Sequence, residues 1–237
     1  MSARPIVALV ALSVFCAACA PDANAGSAET AESGAAVTSP GPSASTSSQP
    51  ASPFAELYDR GLDFGDFLAA ADQRRETWHN NYARSALDPE TIDRVRALSG
   101  AWRLLVVAED WCGDSANTIP YLARLVEAAD GLNMKVIDSE VGRRLMEAYP
   151  TPDGRPATPT VLVLDEAGRE VGCWLERPAT LQDWFLSNED RLADEDLFDR
   201  KYAWYDWDVG EHTVSDLVDV LEGAAAGEVV CPSRPRA

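Results

Sequence analysis

From residue 102 onward the chain alternates between short apolar runs and longer stretches with helical spacing. Trp102 to Ala108 (WRLLVVA) is almost wholly apolar and too short for a core helix, which predicts a strand buried on both faces. Residues 134–138 and 158–164 repeat that pattern. Asp165-Glu166-Ala167-Gly168 has turn composition and leads into a fourth run at 170–175, so a β-hairpin is expected there. Between and after the runs, helices are predicted over about 112–129 (with Pro120 inside), 140–148, 180–192 and 213–222. Ahead of the first strand, residues 54–86 read as helical, with Phe64, Phe67, Leu68 and Ala71 at helical spacing. Asp88-Pro89-Glu90-Thr91 offers an N-cap followed by Pro at the first helical position; this helix should turn Ile92, Val95 and Leu98 inward and stop at Gly100. The order strand-helix-strand-helix-strand-strand-helix implies an α/β fold, with a right-handed parallel crossover followed by an antiparallel hairpin on the same sheet.

The N-terminal stretch lacks this patterning. One basic residue, Arg4, precedes an apolar run from Ile6 to Phe15, and the small residues Cys16-Ala17-Ala18-Cys19-Ala20 follow, which together make a secretory signal peptide. The run is shorter than the roughly 20 apolar residues a spanning helix needs. Cys19 after two alanines resembles the lipobox of bacterial lipoproteins, with Cys16 where that family usually has Leu. The resemblance implies a signal peptide over residues 1–19 and a lipid on Cys19, hence a membrane anchor facing the periplasm or the cell exterior. Cleavage after Ala23-Asn24-Ala25 would instead give a soluble secreted protein, and either reading exports the chain. Residues 20–52 are rich in Ala, Ser, Thr, Pro and Gly and carry no large apolar side chain. Such a segment cannot offset its ordering entropy by burial, so it reads as a disordered tether with a reach of roughly 30 Å. Residues 53–237 remain, about 185 in all, enough for one domain with a sizeable core.

The net charge of −19 argues against nucleic acid as a partner and against electrostatic docking on anionic lipid, leaving the lipid anchor as the membrane contact. Neither His79 nor His212 stands at metal-ligand spacing from a cysteine, so no metal site is expected. With no Gly-rich phosphate loop or nucleotide motif either, no cofactor is expected. The carboxylates within 189–199 read as a solvated acidic face. Trp204, Tyr205 and Trp207 read as cover for a core in preference to an exposed recognition patch.

The first strand runs directly into Trp111-Cys112-Gly113-Asp114-Ser115 at a helix start, and Thr158-Pro159-Thr160 precedes the third strand. With this element order, residues 102–192 resemble the thioredoxin-like superfamily, which places a reactive cysteine and a cis-proline at these two points. The Trp-Cys-Gly-Asp centre and the helical additions resemble, more narrowly, a bacterial group within it, as does the run Lys201-Tyr202-Ala203-Trp204-Tyr205-Asp206-Trp207. The resemblance implies a three-layer fold around a mixed parallel and antiparallel sheet, with helical extensions at both ends of the domain. It also implies Cys112 as the catalytic nucleophile. Trp111, Gly113, Asp114 and Ser115 would surround it, and Thr158 and Pro159 would bind an extended substrate.

Two departures bear on the chemistry. Ser115 stands where the superfamily has its resolving cysteine, and Val106 stands where it keeps a buried acid. What remains is monothiol exchange, in which a second thiol or a reductase from outside releases the product. The first turn of a helix favours a thiolate, while Asp114, if ionised, opposes one. The partners implied are exported proteins bearing thiols, mixed disulfides or sulfenic acids. The alternative is a binding module that uses the groove beside Cys112 and Pro159 without catalysis. For the two remaining cysteines, a structural Cys173–Cys231 disulfide, two free thiols, and a Cys112–Cys173 redox pair are the three alternatives.

Overall fold

The computed structural model describes residues 52–232; the proposed signal peptide, Cys19 and the tether up to residue 51 lie outside the described residues. The domain opens with α1 (Pro53–Arg60), capped by the Ser52 hydroxyl accepting the Phe54 N–H, then α2 (Phe64–Ala70) and α3 (Arg75–Arg84). Three helices therefore replace the single helical stretch read from 54–86. Leu62 causes one break, since it trades two backbone hydrogen bonds of 2.8 Å with Val136. Arg74 causes the other by taking a left-handed conformation, φ 47°, which no helix interior accommodates. Helix α4 (Pro89–Arg96) starts as expected, with the Asp88 carboxylate accepting the Thr91 N–H at 3.1 Å. Val95 is buried, while Ile92 and Leu98 are half-buried.

The rest of the domain is β1 (Trp102–Val107), α5 (Gly113–Ala128), β2 (Leu132–Ile137), α6 (Arg143–Ala148), β3 (Thr160–Leu164), β4 (Glu170–Leu175), α7 (Ala179–Asn188), α8 (Asp194–Asp208) and α9 (Glu211–Ala225). Helix α8 falls where an acidic surface was expected. The sheet order is β2-β1-β3-β4, with β1 and β2 parallel and the other two pairs antiparallel.

Alternation along the strands divides the core. Leu104, Val106, Val161, Val163 and Trp174 pack with Trp78 of α3, Ile119 and Leu122 of α5 and Leu217 of α9. Leu105, Val107, Leu162, Leu164 and Cys173 face the opposite way, onto Tyr58 of α1 and Leu145 and Met146 of α6. The result is the expected three layers, helices on both faces of a mixed sheet. Each fully buried Leu or Val side chain stabilises it by about 1.5–3 kcal/mol.

Pro120 shows how the helical preface supports α5. It has no N–H to give the Ala116 carbonyl one turn back. The Asn81 side chain of α3 supplies the missing donor, its Nδ2 lying 2.8 Å from that oxygen, and the same group reaches Asn117 Oδ1 at 3.1 Å.

Candidate active site around Cys112

Residues 108–112 connect the C-terminal end of β1 to α5, and the N-terminal preface holds this connection in place. Asp110 accepts the Asp72 and Gln73 N–H groups at 2.8 and 2.9 Å, and the Trp78 indole donates to the Asp110 carbonyl at 2.9 Å. Arg74 donates from Nε to the Trp111 carbonyl at 2.6 Å. None of these partners was visible in the motif alone.

Cys112 is the N-cap of α5. Its Sγ accepts the Ser115 N–H at 3.4 Å, one of the backbone donors a helix start leaves unpaired. The thiol lies 3.2 Å from the Thr158 carbonyl and donates toward it. That contact brings residues 46 apart in sequence to one point, and the bond from Thr158 to Pro159 is cis. Cys112 is only 8% exposed, whereas Trp111 beside it is 51% exposed. Gly113 lies against the hydroxyl end of Tyr202, and a Cβ there would collide with the Tyr202 hydroxyl oxygen. The Ser115 side chain is buried, and its hydroxyl has no hydrogen-bond partner among the described residues. What Ser115 gives the sulfur is its backbone N–H.

Taken alone and ionised, Asp114 opposes a thiolate at Cys112. The fold instead surrounds it. Lys201 Nζ is 3.0 Å from Oδ1, Arg177 reaches Oδ2 at 3.3 Å, and the Tyr205 hydroxyl donates to Oδ1 at 2.9 Å. Arg177 also pairs with Glu176 at 2.9 Å and donates to Gln182 Oε1 at 2.8 Å. Burial pushes the Tyr205 hydroxyl well above its ordinary pKa, and the Asp114 charge adds to this. Burial likewise raises the Glu176 carboxyl, against the pull of Arg177. Glu176 closes the circuit, because its N–H donates to the Pro159 carbonyl at 2.7 Å. Three buried ion pairs, Asp114 with Lys201, Asp114 with Arg177 and Glu176 with Arg177, thus link the thiol helix, the cis-proline loop and α8.

The other candidate residues lie elsewhere. Cys173 and Cys231 are joined as a disulfide with Cα atoms 4.7 Å apart, leaving Cys112 as the free cysteine among the described residues. The Cys173 N–H donates to the Val230 carbonyl at 2.9 Å, so the C-terminal tail lies along β4. Val106 is fully buried in β1, an apolar side chain at the place of the superfamily's acid. Tyr205 is buried as expected of core cover, but Trp207 is 70% exposed and departs from that reading. Among the described residues no group of His, Cys, Asp and Glu is placed to hold a metal ion, and no helix is long and apolar enough to cross a membrane.

A family model described as thioredoxin matches residues 61–195. The chain belongs to the thioredoxin family. Its family-matched part runs from the α1–α2 junction into the first turn of α8, so Lys201 and Tyr205 belong to a C-terminal extension. Among solved structures, a protein of unknown function from Pseudomonas aeruginosa is similar at 24% identity, covering 72% of this chain and 98% of its own, with a TM-score of 0.57. An HIV epitope scaffold is similar at 23% identity, with the same coverage of 72% and 98% and a TM-score of 0.57. At such identities these likenesses speak for the thioredoxin fold alone. No curated protein gives a significant match.

Proposed function

We propose that this is an exported thioredoxin-like protein, held at the membrane by a lipid on Cys19, that performs monothiol exchange through Cys112. One observation carries the reading. The one free thiol among the described residues caps α5, receives a backbone N–H at 3.4 Å, and faces the carbonyl that precedes cis-Pro159 at 3.2 Å. An N–H aimed at the sulfur is what a thiolate would accept. On a mixed disulfide, the Cys112 thiolate attacks one sulfur; the Cys112–S bond forms as the old S–S bond breaks, and the departing thiolate takes a proton from water. A second thiol, from solution or from a reductase, then attacks the Cys112 disulfide and regenerates the thiol. On a sulfenic acid, the same thiolate attacks sulfur; the Cys112–S bond forms as the S–O bond breaks, and the departing hydroxide takes a proton from solvent to leave as water.

Ser115 and Val106 support the monothiol form, because both the resolving thiol and its proton acceptor are replaced. Trp111, Gly113 and Asp114 complete the Trp-Cys-Gly-Asp centre on which we place the chain in the corresponding bacterial group. The Thr158 backbone is the edge along which a partner strand would lie, by strand addition, with Trp111 at its border. The partners are exported proteins bearing thiols, mixed disulfides or sulfenic acids.

Trapping through Cys112 in the native envelope tests this reading. Wild type is expected to form covalent adducts that reductant releases, and Cys112→Ser is expected to form none. A Cys112→Ser protein that complements a deletion as well as wild type does would defeat it. Ser115→Cys should create dithiol reductase activity in an insulin-reduction assay; unchanged turnover counts against the assigned geometry. A second reading, a binding module without catalysis, draws on the burial of Cys112 and the thiol's contact with Thr158. It predicts that Cys112→Ser retains partner binding in full.

A further inference from the structure

Two cations converge on the carboxylate beside the thiol, and one of them comes from outside the family-matched residues. Asp114, Glu176, Arg177 and Lys201 have side chains 9%, 5%, 5% and 3% exposed. Their formal charges cancel in pairs: Lys201 and Arg177 against Asp114 and Glu176. Arg155 approaches Glu176 at 3.3 Å, but it is half-exposed and carries its own partner, Asp153. Buried charges interact through a low effective dielectric, so removing any one of the four leaves an uncompensated unit charge next to the first turn of α5.

We propose that this quartet sets the reactivity of Cys112, with Lys201 and Arg177 as positioning residues that cancel the Asp114 charge two positions from the thiol. The C-terminal extension is then part of the site. Lys201 of α8 lets a carboxylate occupy the helix start without repelling a thiolate there. The quartet also ties the Pro159 carbonyl, through the Glu176 N–H, to the helix that carries the sulfur. The proposal rests on Cys112 being a working nucleophile. Three other charged groups lie near the motif. Arg74 donates to the Trp111 carbonyl, Glu109 accepts the Ser139 N–H, and Asp110 accepts the Asp72 and Gln73 N–H groups. All three remain in place in the variants below.

The test is the rate of Cys112 alkylation by iodoacetamide, a small neutral reagent, in the full-length protein. Wild type, Asp114→Asn, Lys201→Met and Lys201→Arg are compared at about pH 7 and about pH 10. Asp114→Asn leaves one positive charge in excess and should speed alkylation at the lower pH by about threefold or more; Lys201→Met leaves one negative charge in excess and should slow it by a similar factor. The Lys201→Arg variant keeps the charge and should stay near wild type. At about pH 10, above the ordinary thiol range, the rates should fall within about twofold of one another. Loosened packing would instead speed both variants at both pH values, and that result overturns the proposal. Equal rates at about pH 7 overturn it as well. If Lys201→Met does not fold, Asp114→Asn decides alone: faster alkylation confined to the lower pH supports the proposal, and any other result defeats it. Because alkylation needs no turnover, failure here leaves the exchange reading standing, and loss of exchange leaves this result intact.

Discussion

Lys201 Nζ lies 3.0 Å from Asp114 Oδ1 across 87 residues of sequence, and both side chains are buried. A buried pair of this kind contributes little net stability when intact, because desolvation offsets attraction, but breaking it from one side is costly. Lys201→Met should therefore lower unfolding stability by about 3–5 kcal/mol, while the double variant Asp114→Asn/Lys201→Met should recover part of that loss. Urea midpoints at neutral pH measure both. A Lys201→Met midpoint equal to wild type would mean that solvent reaches Asp114 and the pair is not buried in solution.

The Asn81–Ala116 contact makes a second prediction. Asn81 donates to a carbonyl that Pro120 leaves without its helical partner, and both groups are buried. Asn81→Leu keeps the volume but orphans that carbonyl, at a cost of about 1–3 kcal/mol. Combining it with Pro120→Ala restores a helical N–H to the same oxygen and should make Asn81→Leu markedly less costly. A double-mutant cycle by urea unfolding reads the coupling, and additive effects would rule out the assigned contact.

These two contacts mark the limit of what the sequence could disclose. The strands were legible because apolar runs and the Asp165–Gly168 turn are local signals, and the Cys112 and Thr158-Pro159 motifs lie at strand ends. Helix α8 was missed although its buried residues, Leu197, Lys201, Tyr205 and Asp208, fall at helical spacing. Two of the four are charged, so the stripe they form does not register as apolar, and their burial depends on Asp114 and His212. The breaks within residues 54–86 were equally hidden. Leu62 leaves the helical path because its backbone pairs with Val136, a partner far along the chain. The cationic partners of Asp114 were hidden for the same reason, since Arg177 and Lys201 lie far along the chain.

The Cys173–Cys231 disulfide closes 58 residues of chain and secures the tail along β4. In the loop-entropy account, a crosslink of that span contributes about 4 kcal/mol by restricting the unfolded chain. Cys231→Ser, or reduction of wild type, should lower the unfolding midpoint by a corresponding amount. Alkylation of Cys112 should be nearly unaffected, since Cys173 packs on the α1 and α6 face of the sheet. Tm with and without reductant is the measurement. A reductant-insensitive Tm would indicate that the crosslink adds nothing, and a parallel loss of Cys112 reactivity would indicate that the two sites communicate.

Glu176 should leave its mark on the pH dependence of stability. Burial pushes its carboxyl above the ordinary value of 4.5, Arg177 and Arg155 pull it down, and Asp114 pushes it up, with a net rise. The folded state therefore holds this proton more tightly than the unfolded state does. Its contribution is fully present below 4.5 and is lost as pH rises through the folded value. Burial raises Asp208 and Asp216 in the same sense. Glu222, hydrogen-bonded to Arg94, is lowered, as are Asp153 and Asp165, where hydrogen bonds outweigh burial; these three stabilise above the ordinary carboxylate range and lose that effect as pH falls. Glu176→Gln removes one titration from the first set only. It should flatten the decline in stability on the alkaline side of 4.5 and leave the acid limb unchanged. Urea midpoints taken from about pH 3 to about pH 8 read both limbs. A variant profile running parallel to wild type above 4.5 would show that the Glu176 carboxyl is not raised by folding.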